Sequence, residues 1–333
     1  MKGSILLTKS VEFFKKPLVS FSIRLSISGF LLFFLFIELN VVERISTIFS
    51  RIDITYLFIY FLLYVIAISF QVLRWQTLLI SWEIHQKFVR LFRWTMTGLF
   101  LNNFLPGGLG GDAYRLYSGT RNSGKVEDVA ATIFYERILS YSALVMLGLV
   151  SLFMRGRYVE DRLFLFLLGG IFFGLAGIFT LLTLPGMRNF AIHLIVRAPL
   201  LKKLRLAEWF DSFRFKNQPP GRLIVIFLIS FLLQVIDVLS YFLVSRALRL
   251  PMPLSDLFLF VPLLNLAILL PLSINGIGIR ETVFVVFSSL WDISQADAVA
   301  FSLTVFSLNL MGSLVGGPIY WIDRRKREND KPT

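Results

Sequence analysis

Residues 101–117 read LNNFLPGGLGGDAYRLY and interrupt a chain that is otherwise strongly apolar. Two asparagines, a proline, four glycines, an aspartate and an arginine stand within this stretch. Proline and glycine end helices, so the stretch predicts a break between one helix and the next. The break decides the fold, because inside a membrane an irregular backbone must be buried in protein or line a water-filled cavity.

The composition of the chain indicates a membrane protein. Of its 333 residues, 56% are hydrophobic, 17% are charged and 35 are phenylalanine, and the mean hydropathy is +0.72. A soluble domain cannot bury so much apolar surface. The long Leu, Phe and Ile runs suit helices that cross a hydrocarbon core of about 30 Å and lack the alternation of barrel strands. We therefore expect an all-α polytopic membrane protein.

The apolar runs predict six full transmembrane helices and two shorter apolar segments. The first 20 residues carry four lysines, but no small-residue cleavage signature follows the first run, which predicts a retained helix. Each shorter segment is followed by a Gly-rich break, which we interpret as a re-entrant hairpin. The full spans lie near 21–39, 54–73, 138–154, 163–184, 223–245 and 298–322, and the shorter segments near 94–105 and 257–272.

Basic residues are distributed unevenly between the two sides of the predicted membrane. If each hairpin returns to the side from which it enters, 26 of the 34 basic residues fall on one side and 7 on the other, and Arg280 stays in the membrane. Lys and Arg in short loops remain cytoplasmic, so both termini are predicted to be cytoplasmic and the membrane to be the inner one. The net charge of +13 then reflects topology rather than nucleic-acid binding.

The whole chain, 1–333, is predicted to be a single integral membrane domain. A first half, 1–184, contains the broken helix 94–121, and a second half, 223–322, contains the broken helix 257–291. Between them lies a basic amphipathic cytoplasmic connector, 185–222, and a basic cytoplasmic tail follows at 323–333. The connector alternates bulky apolar residues with Lys and Arg, which suits either helices lying on an anionic leaflet or a plain structural linker.

A second break repeats the arrangement of the first. Residues 269–283 read LLPLSINGIGIRETV, with a Leu-Pro pair, a Gly-interrupted turn and an arginine beside an acid at a helix start. On the predicted topology the first hairpin enters from the cytoplasm and the second from outside, so the two are related by inversion. Inverted repeats with broken helices indicate a transporter whose site lies near the membrane midplane.

The two breaks predict a binding site for an anion. Free backbone N–H groups and the positive end of a helix dipole favour negative charge at each helix start. Arginine matches phosphate with two parallel hydrogen bonds, so we expect a lipid phosphate to bind Arg115, Arg137 and Arg280. The alternative is that Arg115 and Arg280 merely pair with Asp112 and Glu281 or cap backbone carbonyls.

Further polar positions are expected to support this site. Asp112 is predicted to cap a helix over residues 113–119. Asp237 lies in an apolar span and is a candidate for ion or proton coupling, or for pairing with one of the arginines. The supporting side chains and backbone groups are Asn102, Asn103, Gly107, Gly108, Gly110, Gly111, Asp112, Glu136, Asn275, Gly276, Gly278 and Glu281.

Cofactor and metal chemistry are not expected. The chain has no cysteine, which excludes disulfides and thiolate metal sites, and its two histidines, His85 and His193, fall in polar segments. The pattern GxxxxGK[ST] does not occur, so we do not expect direct use of ATP.

The order of these motifs resembles the transmembrane region of lysylphosphatidylglycerol synthases and a wider family of flippase-like membrane proteins, over residues 20–322. Relatives tend to have Asp-Arg where this chain has Glu136-Arg137. The resemblance implies a module that moves an anionic, zwitterionic, aminoacylated or polyprenyl-linked lipid between leaflets. The motifs are Arg74-Trp75, Asn103, Leu105-Pro106-Gly107-Gly108, Gly110-Gly111-Asp112, Arg115, Glu136-Arg137 and Asn275-Gly276-Ile277-Gly278-Ile279-Arg280-Glu281.

The full synthases also carry a C-terminal cytosolic aminoacyl-transfer domain. This chain ends shortly after the basic run 323–327, so aminoacyl transfer by the chain alone is not expected.

Three functions stay open at this point. The first is a flippase or scramblase for anionic or polyprenyl-linked membrane lipids. The second is a membrane-embedded transferase with Asp112, Glu136 or Glu281 as general base, although no His or Cys stands near these carboxylates. The third is an accessory subunit that presents lipid to a separate synthase or glycosyltransferase, which makes a lipid-modifying enzyme a candidate partner.

The re-entrant interpretation of the first break can be tested by cysteine labelling. We expect Gly108→Cys, the sole cysteine of the variant, to resist membrane-impermeant maleimide from either side, because a hairpin tip at membrane depth is shielded from both solutions. Ser4→Cys, outside the apolar runs, is the control. Rapid labelling of Gly108→Cys from one side would instead indicate a pair of short crossings.

Overall fold

The computed structural model describes residues 52–103, 110–155, 170, 220–269, 276 and 278–329. The predicted span 21–39, the span 163–184 except Gly170, and the connector up to residue 219 lie outside these ranges. The same holds for three supporting positions of the predicted site, Gly107, Gly108 and Asn275.

The described part of the chain is helical, and no β-strand occurs in it, which confirms the all-α prediction. A 3-10 turn, Ser288–Trp291, follows the seventh of nine described helices. Numbered in chain order, these are α1 Ile54–Ser81, α2 Phe88–Asn102, α3 Gly110–Ser123, α4 Val126–Arg155, α5 Pro220–Ala247, α6 Leu254–Leu269, α7 Ile279–Phe287, α8 Gln295–Leu314 and α9 Gly316–Asn329.

Four stretches within these ranges are long and apolar enough to cross a membrane. They are Ile54–Ser81, Val126–Ser151, Gly221–Ala247 and Gln295–Arg325, and they correspond to four of the six predicted spans. A shorter apolar helix, Leu254–Ile268, accompanies them. The protein is therefore a polytopic membrane protein.

The outer face of α1 shows why this helix belongs in lipid. Ile54, Phe58, Leu62 and Val65 recur at helical spacing and are each at least half exposed. Such a stripe suits a hydrocarbon environment rather than water. The opposite face packs against α5, and Asp53 accepts a hydrogen bond from the Thr55 backbone N–H (2.9 Å) to cap the helix start.

Two predicted span boundaries were wrong, and both errors concern charged residues. Helix α1 continues past residue 73 to Ser81, so Arg74 lies inside it and is buried. Helix α4 begins at Val126, so Glu136 and Arg137 lie within the helix instead of before it. Hydropathy falls at each charge, but the helix continues because those charges find partners inside the protein. Arg74 was therefore wrongly counted as a loop charge in the orientation prediction.

The first break brings α2 and α3 side by side. A Cβ atom on Gly98 would lie 3.0 Å from the Cα of Gly111, so the two backbones are nearly in contact. The Asn102 side-chain oxygen accepts a hydrogen bond from the Gly111 N–H (2.6 Å), which joins the end of α2 to the start of α3. The prediction that Asp112 caps this helix was wrong, because Gly110 and Gly111 are already helical and Asp112 lies in the first turn.

The second break separates α6 from α7, and a glycine and a glutamate form the start of α7. Helix α6 ends at Leu269, and α7 begins after Gly278, whose φ of 88° favours glycine. The Glu281 carboxylate accepts a hydrogen bond from the Gly278 N–H (2.6 Å) and so caps the first turn of α7. Whether the two breaks are re-entrant and related by inversion stays a prediction.

A close contact between α9 and α2 generates a stability prediction. A Cβ atom on Gly316 would overlap the backbone carbonyl of Met96, whereas one on Gly221 in α5 would meet open space. We expect Gly316→Ala to lower the free energy of unfolding by about 1–3 kcal/mol, because backbone cannot move aside as a flexible side chain can. Gly221→Ala should be neutral or stabilising. Thermal unfolding of both variants in detergent tests this, and equal melting temperatures would contradict the contact.

Candidate functional site

A buried network of charges joins α1, α3 and α4. At its centre is Glu136 of α4, whose side chain is only 4% exposed. One carboxylate oxygen accepts a hydrogen bond from the Nη2 of Arg74 on α1 (2.7 Å), and the other is bound by the Nη2 of Arg115 on α3. Both arginines are buried, so each cation offsets part of the cost of taking Glu136 out of water.

Uncharged groups hold the two arginines in place. The Nη1 of Arg74 donates to the hydroxyls of Ser140 on α4 (2.7 Å) and Ser230 on α5 (3.0 Å). The guanidinium of Arg115 lies 4.0 Å from the ring centre of Trp75, a cation–π contact. These contacts orient the guanidinium groups before any ligand binds.

A second carboxylate, Asp112, links the network to a more accessible arginine. Its Oδ2 accepts a hydrogen bond from the Nε of Arg137 (2.8 Å) and lies 2.6 Å from the Nη2 of the same guanidinium, so one carboxylate oxygen forms the ion pair. Its Oδ1 lies 3.5 Å from the Nη1 of Arg115. The Arg137 side chain is 41% exposed and also donates to the hydroxyl of Tyr141 (3.0 Å). Arg137 is therefore the arginine of the network that a ligand reaches first.

The network carries a surplus of positive charge. Three guanidinium groups, of Arg74, Arg115 and Arg137, face the two carboxylates of Asp112 and Glu136. With these five groups ionised, one positive charge is left uncompensated. In the low-dielectric interior of a membrane protein such a surplus attracts an anion strongly.

These residues border a cavity of about 220 Å³, which we call the arginine cavity. Helices α1 to α4 form its wall, and its polar lining includes Gln71, Thr95 and Asn102 together with the five charged residues. The cavity lies beside the first Gly-rich break, since Gly98 and Gly111 also line it.

Three hydrogen-bond donors on residues that line the arginine cavity lack an acceptor. Among the described residues no partner is found for the Nε of Arg74, the Nε of Arg115 or the hydroxyl of Thr95, although all three atoms are buried. A buried donor without a partner costs free energy of order 1–3 kcal/mol. Because these three atoms have almost no accessible surface, a bound anion would reach them only after the surrounding side chains shift.

A second cavity, of about 350 Å³, adjoins the first. We call it the amide cavity, because Gln71, Gln234, Asn265 and Asn309 contribute side-chain amides to its lining. The side-chain amide of Asn265 on α6 donates to the carboxylate of Asp237 on α5 (2.7 Å). Asp237 thus has an amide as its hydrogen-bond partner.

The structure brings six of the sixteen predicted site residues together at one cavity. Arg115, Arg137, Asp112, Glu136, Asn102 and Gly111 all line the arginine cavity. The alternative of a pair between Arg115 and Asp112 is observed as well, with Glu136 as an additional partner. Asn103 is placed differently, because its amide donates to the hydroxyl of Ser313 on α8 (2.6 Å).

Arg280 lies apart from the other two predicted arginines. It is not among the described residues that line either cavity. Its guanidinium is 5.7 Å from the ring centre of Phe306, and its Nε is buried without a partner in the described ranges. Glu281 forms no ion pair with it there; the second carboxylate oxygen of Glu281 accepts from Ser302 (2.9 Å).

Sequence reasoning missed Arg74 as a site residue. It was assigned to a loop after the second span, although the pair Arg74-Trp75 is one of the motifs that carry the family resemblance. The signal was available, because an arginine with apolar residues on both sides at helical spacing is costly unless a carboxylate pairs with it.

Comparison with known proteins places the chain in a family. The family model described as "Lysylphosphatidylglycerol synthase TM region" matches residues 21–316. The chain belongs to this family. Every described residue of the arginine cavity falls inside the matched range.

One curated relative is the UPF0104 membrane protein PH1989 of Pyrococcus horikoshii. It is 29% identical over 131 residues, which is 38% of this chain and 39% of that protein. The match therefore spans well under two thirds of the relative's length. No solved structure matches the chain.

The buried network predicts a large effect of neutralising its central acid. Glu136→Gln leaves Arg74 and Arg115 without their carboxylate, and we expect the free energy of unfolding to fall by about 3–5 kcal/mol. Asp128→Asn, in a partly exposed pair with Lys125 at the start of α4, should cost about 1 kcal/mol or less. Chemical unfolding in detergent followed by circular dichroism measures both. Similar values for the two variants would contradict the central role of Glu136.

Proposed function

We propose that the protein moves a phosphate-bearing lipid between the leaflets of the cytoplasmic membrane. The observation that carries the proposal is the arginine cavity, where three arginines outnumber two carboxylates among membrane-crossing helices. A lipid phosphodiester carries one negative charge and two unshared oxygens, which match the surplus charge and the unpartnered donors. Membership of a lipid-related family supports the same ligand class.

Asp112 has a defined part in the proposed cycle. In the absence of lipid its carboxylate occupies the fork of Arg137, with distances of 2.6 and 2.8 Å. A phosphate that enters the cavity competes for the same fork and gains Arg115 as a second partner, since Asp112 contacts both. Return of Asp112 to Arg137 favours release. Binding is thereby kept reversible, which a carrier requires.

The helix break beside the cavity is the element that we propose to move. Helices α2 and α3 touch through glycine backbones and share the bond between Asn102 and Gly111. Small residues at such a contact let helices slide with little steric cost. A displacement of α3 relative to α4 would carry Arg115 and Asp112 away from Glu136 and Arg137, which opens the cavity on one side.

Catalysis by this site is not part of the proposal. A general base needs a carboxylate oxygen free to accept a proton. Both oxygens of Glu136 are occupied by guanidinium groups, and Glu281 accepts from Gly278 and Ser302. These arrangements favour a binding role over a transferase role. We further propose that both termini face the cytoplasm.

Lipid movement can be measured directly in liposomes that contain the purified full chain. Fluorescent phosphatidylglycerol, quenched by dithionite from outside, should become accessible faster than in protein-free vesicles. We expect Arg137→Gln to slow this exchange about tenfold, because it removes a bidentate partner of the phosphate. Arg115→Lys should also slow it, since an ammonium cannot reproduce the planar fork.

A matched variant controls for loss of charge. Arg121→Gln removes an exposed arginine of α3 whose described contact is a long hydrogen bond to Tyr117 (3.4 Å), and it should leave the rate unchanged. All variants must have the same elution volume in size-exclusion chromatography and the same melting temperature as the unmodified protein. No accelerated exchange of any labelled lipid by the folded protein would overturn the proposal and favour the accessory role.

A further inference from the structure

The amide cavity and the arginine cavity share a wall. Gln71, Arg74, Leu99, Ser140 and Tyr141 line both of them. The side chain of Gln71 has no hydrogen-bond partner among the described residues, although it borders both spaces. The two cavities therefore adjoin at these side chains, and a molecule with its phosphate in the arginine cavity would reach the amide cavity by passing Gln71.

Apolar side chains make up much of the lining of the amide cavity, and polar side chains contribute the rest. Apart from the tyrosines, its ionisable side chains are one base, Arg74, and one acid, Asp237, and Arg74 already pairs with Glu136. The rest of its polar lining consists of amides and hydroxyls, which both donate and accept hydrogen bonds. This chemistry suits a neutral group that also donates and accepts, and hydroxyl groups are of that kind.

Asp237 and Asn265 form the pair best placed to bind hydroxyls. The Asn265 amide donates one hydrogen bond to Asp237 (2.7 Å), which leaves its carbonyl oxygen and the second carboxylate oxygen as acceptors. Gln234 lies on the same helix as Asp237, and its amide donates a long bond to the Ser140 carbonyl (3.3 Å). Two or more hydroxyls on adjacent carbons can satisfy such a set at once.

A cationic group fits this cavity less well. Two arginines oppose the binding of an ammonium group near Asp237. Arg74 lines the cavity, and Arg280 of α7 is close enough to interact electrostatically with Asp237 and Tyr241. Their positive charges offset the attraction of Asp237 for a cation. Tyr60, Tyr64, Tyr141 and Tyr241 also line the cavity, but Tyr60 and Tyr241 are almost fully buried and offer little ring surface to a cation.

From these observations we propose that the amide cavity binds an uncharged, hydroxyl-bearing head group attached to the phosphate in the arginine cavity. The ligand class is a phosphodiester lipid whose head group is a polyol or a sugar, and a lipid whose head group carries an ammonium is disfavoured. The inference rests on the proposed phosphate site and specifies the substrate class of that site.

Head-group preference is tested by binding, which does not depend on lipid movement. The purified full chain in detergent is titrated with dioctanoyl forms of phosphatidylmethanol, phosphatidylglycerol, phosphatidylinositol and phosphatidylcholine, with Trp75 beneath Arg115 as a fluorescent reporter. Phosphatidylmethanol has the phosphodiester but no polar head group. We expect phosphatidylglycerol and phosphatidylinositol to bind about tenfold more tightly than phosphatidylmethanol, and phosphatidylcholine to bind less tightly than all three.

Variants locate the preference in the amide cavity. Asn265→Leu should lower the affinity for phosphatidylglycerol and phosphatidylinositol until it equals the affinity for phosphatidylmethanol. The affinity for phosphatidylmethanol itself should not change. Gln234→Leu, which does not disturb Asp237 directly, should act in the same direction if Asn265→Leu fails to fold. Asn122→Leu, an exposed amide on α3 outside both cavities, is the matched control.

The outcomes separate this inference from the proposed function. Equal affinity for all four lipids, or an Asn265→Leu effect that includes phosphatidylmethanol, would overturn the polyol site while the phosphate site stands. Failure of phosphatidylmethanol itself to bind would overturn the phosphate site. Tighter binding of phosphatidylcholine would show that the amide cavity selects cations.

Discussion

Glu136 is a carboxylate held away from water in a helix that crosses the membrane, and the surrounding structure follows from the need to compensate it. Its two oxygens accept hydrogen bonds from two cations, which come from α1 and α3. The pairing fixes three helices relative to one another and buries Arg74 and Arg115 with the acid. In the absence of lipid these three charges hold the helices at one register, and the displacement of α3 proposed above would have to break the pair between Arg115 and Glu136.

The same constraint creates the site. Two arginines satisfy Glu136 but retain Nε donors without acceptors, and Asp112 adds Arg137 at the accessible edge. The result is a cavity with surplus positive charge next to a cavity whose polar groups are mainly amides and hydroxyls. A lipid with a charged phosphate and an uncharged, hydroxyl-bearing head group matches both cavities, the phosphate in the first and the head group in the second. The proposed function and the proposed substrate class therefore rest on neighbouring parts of one site.

Particular residues show how far the site could be predicted. Arg115, Asp112 and Asn102 were found because the Pro and Gly residues around them mark a break, and a break in a membrane helix is visible in sequence. Arg74 was missed because a fall in hydropathy was taken for the end of a helix, while α1 continues to Ser81. Arg280 was grouped with Arg115 by motif similarity, but packing places it near Phe306 and outside both cavities.

The sequence by itself determined that the protein lives in a membrane, that it is built of helices, and where those helices are interrupted. These properties depend on the local density of apolar, Pro and Gly residues, which can be read within the length of one helix. Only the tertiary structure decided which charges meet and that two cavities share a wall. Arg74 and Glu136 are 62 positions apart, and Asp237 and Asn265 are 28 apart. Which helix faces meet depends on packing and charge compensation across the whole bundle, and no local pattern contains that information.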